Sequence, residues 1–236
     1  MVSDRVKKMI RRGRQIRKKM GEAELLTDKQ QLIIHSVLFF YGDAATDELS
    51  VQIAQDIADH WNEANGKVRI KKTWYDIRFD VQGIWSRSLT PSMVYENTNP
   101  RNNYFRVEEF ATGNISYVDG INSNTGYFKL ENLLNNSTTA AHEFGHSIGL
   151  DHPGELDIRG KGTPGIMYPR GTLVDPVFQY YPDAIPGEKG GTLNPFTRKV
   201  LQADIDDLHL HKLDFDQKGF AVVGGFTSVW HEKQLP

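Results

Sequence analysis

One stretch of the chain carries chemistry at fixed spacing: His142-Glu143-Phe144-Gly145-His146-Ser147-Ile148-Gly149-Leu150-Asp151-His152. On a helix, residues i and i+4 share a face, so His142 and His146 point the same way, one turn apart, and can hold one metal ion. Glu143 stands beside His142, within reach of a water at that ion. Gly149 ends the helix, because glycine tolerates the left-handed backbone that a sharp stop requires. The chain then doubles back and delivers His152 as a third ligand. Three protein ligands with the fourth position left open describe a catalytic zinc site, whereas four describe a structural one. A bare His-Glu-x-x-His occurs on ordinary helices. The full His-Glu-x-x-His-x-x-Gly-x-x-His specifies five residues and is far more demanding.

A second signal lies downstream. Gly165-Ile166-Met167-Tyr168-Pro169 resembles the methionine turn that sits beneath the metal in the metzincin clan of zinc peptidases. The stretch from Ala140 to His152 resembles the zinc helix of one metzincin family, the matrixins. Leu201-Gln202-Ala203-Asp204-Ile205-Asp206-Asp207-Leu208 resembles their last helix, which opens with paired acids. The resemblance is strong over about 115–170 and 200–211, and weak but colinear over 31–114.

The resemblance implies an α+β fold of the zincin type: a twisted mixed sheet packed on two long helices, the second carrying the metal, with an irregular lower part after Gly149. It implies a zinc-dependent endopeptidase with one zinc on His142, His146 and His152. Glu143 would be the general base and Met167 would lie under the site. An extended protein or peptide substrate would lie along an edge strand near Ile115, Ser116 and Tyr117. Pro169 stands where astacins and serralysins place an assisting tyrosine, so no tyrosine is assigned a catalytic role. No histidine occurs between His60 and His142, where matrixins carry ligands for a structural zinc, so that second ion is not expected. Gly154–Gly165 reads as an inserted surface loop. Residues 170–198, which in the family wall the pocket for the residue after the scissile bond, are long and dissimilar here. Two other readings stand beside this one. The first is a zinc-binding interaction module without activity. The second is a toxin or effector module of a larger exported protein, with an inhibitor or immunity partner.

The 236 residues suffice for one domain with a sizeable core, and no apolar run approaches a membrane span. There is no cysteine, which excludes disulfides, thiolate ligands, a cysteine nucleophile and the cysteine switch of matrixin pro-segments. Compartment is left open. Charge is uneven: residues 1–20 hold nine Lys/Arg and one acid, Asp4, so a net charge of −2 hides a basic arm on an acidic body. The arm lacks the apolar core of a signal peptide. A nucleic-acid arm, a membrane-surface helix and a linker from a larger protein are all compatible with it. A solvated helix or linker is the favoured reading, so no nucleic-acid partner is expected. The chain therefore divides into an arm or linker, 1–28, and one catalytic-type domain, 29–236, whose upper part runs to about 149.

The remaining elements must position the motif. Leu32–Phe40 reads as a strand buried within a sheet, with His35 a hydrogen-bonded residue inside it. Thr46 caps a helix whose apolar face is Leu49, Ile53, Ile57, Trp61 and Ala64, stopped by Asn65-Gly66. Tyr75–Val81 alternates as a half-buried strand, with Val68–Ile70 its lead-in. Residues 86–103 read as a loop, and strands are expected at Tyr104–Phe110, Ile115–Val118 and Gly126–Leu130. The oxygen-rich joint Asp119–Thr125 offers calcium-type ligands, but the same residues are ordinary turn formers. The metal helix starts near Asn136 or Ser137, a closing helix spans Arg198–Leu213, and Phe220–Val223 and Phe226–Trp230 read as strands.

Overall fold

The computed structural model describes residues 21–236. The architecture is α+β: one mixed sheet with a few helices. Its central strand is β2, Gln31–Tyr41, which follows β1, Glu22–Leu26. Helix α1, Asp47–Glu63, precedes an antiparallel pair, β3 Lys67–Ile70 and β4 Thr73–Trp85. A short helix α2, Pro91–Tyr95, leads to β5, Asn102–Glu108. Then come β6, Tyr117–Val118, and β7, Thr125–Lys129. The metal helix is α3, Thr139–Ser147; α4, Gln202–Asp207, and β8, Phe220–Val222, follow.

Spatially the strands run β3-β4-β2-β5-β7-β6. β2 pairs parallel with β4 along nearly its whole length. Its other edge is shared: Gln31–His35 pair antiparallel with β1, and Val37–Tyr41 pair parallel with β5. β8 extends the sheet outward from β1. At the far side, two-residue β6 runs antiparallel to β7 and leaves its outer edge free for the region of the motif.

The period-2 pattern of β2 sorts its side chains to two faces. Leu32, Ile34, Leu38 and Phe40 face the main core, where they meet Ile53, Ile57 and Trp61 of α1 and Phe144 of α3. Trp61 ties the two helices: its indole N–H donates to the Ala141 carbonyl at 3.0 Å, and its ring packs 5.9 Å from Phe144. Thr46 caps α1, accepting the Leu49 N–H at 3.1 Å. On the opposite face, Phe39 and Tyr41 pack with Leu89, Val94, Tyr104 and Trp230. His35 bridges three strands there, with Asp80 at 2.9 Å and Glu24 at 2.8 Å on its two ring nitrogens.

Several expectations need correction. Residues 22–26, grouped with the arm in the sequence reading, are a strand of the sheet, with Ala23 wholly buried. Among the described residues only α1 is long, at 17 residues; the helix of the histidine motif, α3, has nine and starts after Thr138, with Ser137 Oγ accepting the Thr139 N–H. Residues 91–95 within the expected loop are helical, with Thr90 as cap and proline in the first turn. The edge strand shrinks to Tyr117–Val118, because residues 112–114 coil into a tight turn. The closing helix reduces to α4 and a single turn at Leu210–Lys212, interrupted by His209 at a φ of 51°. No strand forms at 226–230: the N–H groups of Thr227 and Ser228 go to the Asn124 side-chain oxygen, and that of Val229 goes to Thr125 Oγ1. Instead this C-terminal segment runs across the second sheet face. Trp230 stacks on Tyr41 at 4.5 Å, the His231 carbonyl accepts from Arg106, and Gln234 reaches Thr112 N and the Tyr117 hydroxyl.

Among the described residues, no helix is long and apolar enough to cross a membrane. The first 20 residues, and with them most of the basic arm, lie outside the described part.

Candidate metal centre

α3 presents its two histidines one turn apart, and the backbone after it is shaped to return the third. Gly149 takes a φ of +115°, a region that side chains disfavour, and its N–H and that of Asn122 both bond to the His146 carbonyl. Leu150 N–H closes on the Gly145 carbonyl at 2.9 Å, and the chain turns so that His152 meets the other two. His152 Nε2 lies 3.1 Å from Nε2 of His142 and 3.1 Å from Nε2 of His146. Among the described residues these three form the one group of three or more His, Asp or Glu side chains spaced to hold a metal ion.

The partners constrain the tautomers. His142 Nδ1 lies 2.7 Å from the Ile166 carbonyl, and His146 Nδ1 lies 2.8 Å from the Leu150 carbonyl. A carbonyl oxygen only accepts, so His146 Nδ1 carries the hydrogen and its Nε2 is a lone pair facing inward; His142 Nδ1 meets both the Ile166 carbonyl and the Arg198 Nη1 donor at 2.9 Å, and the two compete for it. His152 Nε2 can donate to at most one of its two Nε2 neighbours, which leaves at least one of these contacts uncompensated. A cation at the point of convergence resolves it. Two nitrogens bound tetrahedrally to zinc at about 2.0–2.1 Å stand about 3.3–3.4 Å apart, close to the separation seen. The residues present therefore fit a metal ion. Burial, followed for His142 by the nearby Arg198 charge, holds the ring pKa well below the usual histidine range; burial also lowers those of His146 and His152. Neutral imidazole is the ligand form.

Glu143 is 7% exposed and faces the same space, its Oε2 accepting the Val118 N–H of β6 at 3.1 Å. Burial pushes its pKa up to about 8, against the opposing pull of Arg198. An ion held by the histidines adds a further downward pull. Met167 lies under the helix: a Cβ added at Gly145 would come within 2.4 Å of its sulfur, so only glycine permits this approach.

An open cavity of about 510 Å³ surrounds these groups. It is lined by Ile115, Ser116, Tyr117 and Val118 at and before β6, by His142, Glu143, His146 and His152, and by Thr139, Pro169, Arg170, Gly171 and Arg198. The first three of these differ in availability. Ile115 is exposed, Ser116 Oγ is taken by Lys129 N–H and Asn132, and the Tyr117 ring stacks on Tyr127. The oxygens of the Asp119–Thr125 joint are engaged by the protein: Asp119 bonds Thr125 and His231, and Asn124 takes the backbone at Thr227 and Ser228. His209 and His211 lie together outside the centre, exposed.

Two residues were not singled out by their spacing. Arg198, 5% exposed, donates to Thr138 Oγ1 at 2.9 Å and to the Tyr168 carbonyl at 3.0 Å, and so joins the start of α3 to the methionine turn. Burial lowers its pKa to about 10, which leaves it charged at neutral pH. Asp204, in the first turn of α4, accepts the Leu201 N–H at 2.8 Å, and its pKa is raised by burial, against the pull of the nearby Leu201 and Ile166 N–H groups. The paired acids of the last helix were the available signal for it. By standing close to the backbone at Ile166, whose carbonyl contacts His142, Asp204 supports the metal centre from behind. Outer partners of this kind are worth about 10–100-fold in metal affinity, and each buried donor left unpaired costs about 1–3 kcal/mol. Asp204→Ala is therefore expected to weaken metal retention by about that factor and to lower the melting temperature, as read by chelator competition and thermal denaturation.

No protein-family model matches the chain, and no curated protein is significantly similar to it.

Proposed function

We propose that this protein is a zinc-dependent endopeptidase of the metzincin type, matrixin-like in plan. The observation that carries the proposal is the convergence of three neutral imidazoles beside a buried, non-ligating carboxyl group in an open cavity rimmed by an edge strand. A metal that only held structure would need no such carboxyl. The α+β layout supports the zincin assignment, with the mixed sheet over α1 and α3 and an irregular part after Gly149.

His142, His146 and His152 would hold the zinc, which supplies Lewis acidity: it lowers the pKa of a water and polarises a peptide carbonyl. Glu143 takes the proton from the attacking water at a carboxylate oxygen. It then returns that proton to the nitrogen of the departing amine, so one residue serves as base and acid in turn. The free edge of β6 offers backbone groups to an extended peptide, a mode of binding tolerant of sequence. The walls around Glu143 limit water to the open side.

The test is metal analysis of protein purified without added metal, followed by cleavage of a broad peptide library with and without a chelator. One zinc per chain is expected, with cleavage that the chelator abolishes and added zinc restores. A stoichiometry near zero would remove the metal centre. Zinc at one per chain with no cleavage anywhere in the library would leave a binding module.

A further inference from the structure

The lining of the cavity beside the histidines is cationic. Arg198 and Arg170 both belong to it, with Thr139, Pro169 and Gly171. Arg198 is nearly buried, yet among the described residues no carboxylate lies within 4.0 Å of its guanidinium; it donates to Thr138 Oγ1 and the Tyr168 carbonyl, and its Nη1 lies 2.9 Å from His142 Nδ1. A buried guanidinium with only neutral partners is costly to keep, since five donors and a full charge have been taken from water. Glu143, across His142, has an oxygen on Val118. Arg170 is exposed and lines the same cavity, so the second charge remains accessible from solvent.

We propose that Arg198 and Arg170 select an acidic side chain, aspartate or glutamate, at the substrate residue immediately after the scissile bond. The inference rests on the peptidase reading. A chain lying along β6 with its carbonyl at the histidines would occupy the same cavity that Thr139, Pro169, Arg170, Gly171 and Arg198 line, and the proposal places its next side chain against them. A carboxylate entering meets two guanidinium charges; on Arg198 it would be received by Nη2, since Nε and Nη1 are engaged by Thr138 and Tyr168. An amide of the same shape offers one acceptor and no charge. The difference between charged and neutral hydrogen bonding corresponds to about 10–100-fold in kcat/KM.

The experiment is cleavage of a randomised peptide library by the zinc-loaded protein, read as the new N-terminal residues, then kinetics on one sequence carrying Asp, Glu, Asn, Gln, Leu or Lys at that residue. Asp and Glu are expected to dominate the new N-termini, with Asp over Asn by about 10–100-fold and Lys the poorest. Arg170→Ala, at an exposed site, is expected to shrink the Asp-to-Asn ratio. Arg198→Gln should collapse it, but Arg198 also ties α3 to the methionine turn, so the unmutated ratio is the primary readout. Equal cleavage of Asp and Asn peptides, or a preference for Leu, overturns this proposal and leaves the peptidase reading intact. Cuts confined to the last residues of peptides with free C-termini, and lost on amidation, overturn it in favour of recognition of the terminal carboxylate. No cleavage of any peptide overturns both.

Discussion

Glu143→Ala and Glu143→Gln are expected to keep their metal and their fold while peptide cleavage falls by about 10²–10⁴-fold or more. The carboxylate is not one of the three converging ligands, so the imidazoles and their carbonyl partners at Ile166 and Leu150 are untouched. The only bond lost within the protein is the one from Val118 N–H, which borders the open cavity and can be taken over by water. Burial disfavours the charged form of this carboxyl strongly enough to raise its pKa to about 8, so the folded state gains nothing from that charge. Thermal stability should therefore be unchanged or slightly higher. Glutamine is the sharper variant: it keeps the shape and an acceptor for Val118 but cannot take a proton. Metal content, melting and cleavage should be measured on one preparation. Wild-type cleavage by zinc-loaded Glu143→Gln would sink Glu143 as the proton carrier.

His146→Ala is expected to remove both metal and activity. His146 and His142 form the rigid part of the ligand set, each with Nδ1 against a carbonyl of the fold. Loss of a direct ligand must exceed the about 10–100-fold that outer partners cost, so metal should not survive dialysis. The helix should persist, because Trp61, Phe144 and Met167 anchor α3 on faces away from His146. His209→Ala with His211→Ala provides the control, since that pair lies exposed and outside the converging group. Elemental analysis after dialysis should give near one ion per chain for the control and near none for His146→Ala. Equal retention in both would place the ion elsewhere.

What the sequence shows readily is what local spacing dictates. The i, i+4 histidines, the glycine stop, the capped helix α1 and the alternation of β4 all arise from neighbours along the chain, and each appears in the structure. The elements that were missed depend on distant partners. β1 carries only five residues of ordinary composition, and it is a strand because β2 and β8 supply both of its edges. Residues 226–230 have strand composition, but Asn124 and Thr125 occupy their N–H groups with side chains. Arg198 reads as one of many basic residues until the fold buries it between Thr138 and Tyr168. The resemblance pointed to the paired acids of the last helix, but only the folded chain shows that Asp204 lies against the backbone at Gly165 and Ile166.

The C-terminal segment carries a consequence for the order of assembly. The rim of the cavity, Thr112 to Val118, is held from behind by Gln234, more than 100 residues further along the chain. The hydroxyl oxygen of its neighbour Tyr127 accepts the Gln234 N–H, and that of Tyr41 in the central strand accepts the His231 N–H. A chain made from its N-terminus can fold β2, β4 and α1 early, since their contacts are nearer in sequence. It can complete the metal site once residue 198 has emerged. The rim against which a peptide would lie gains its last supports only when residues 230–234 arrive. The chain thus carries a built-in delay between bringing the histidines together and finishing the rim of the cavity beside them, a timing set by topology and loop-closure entropy.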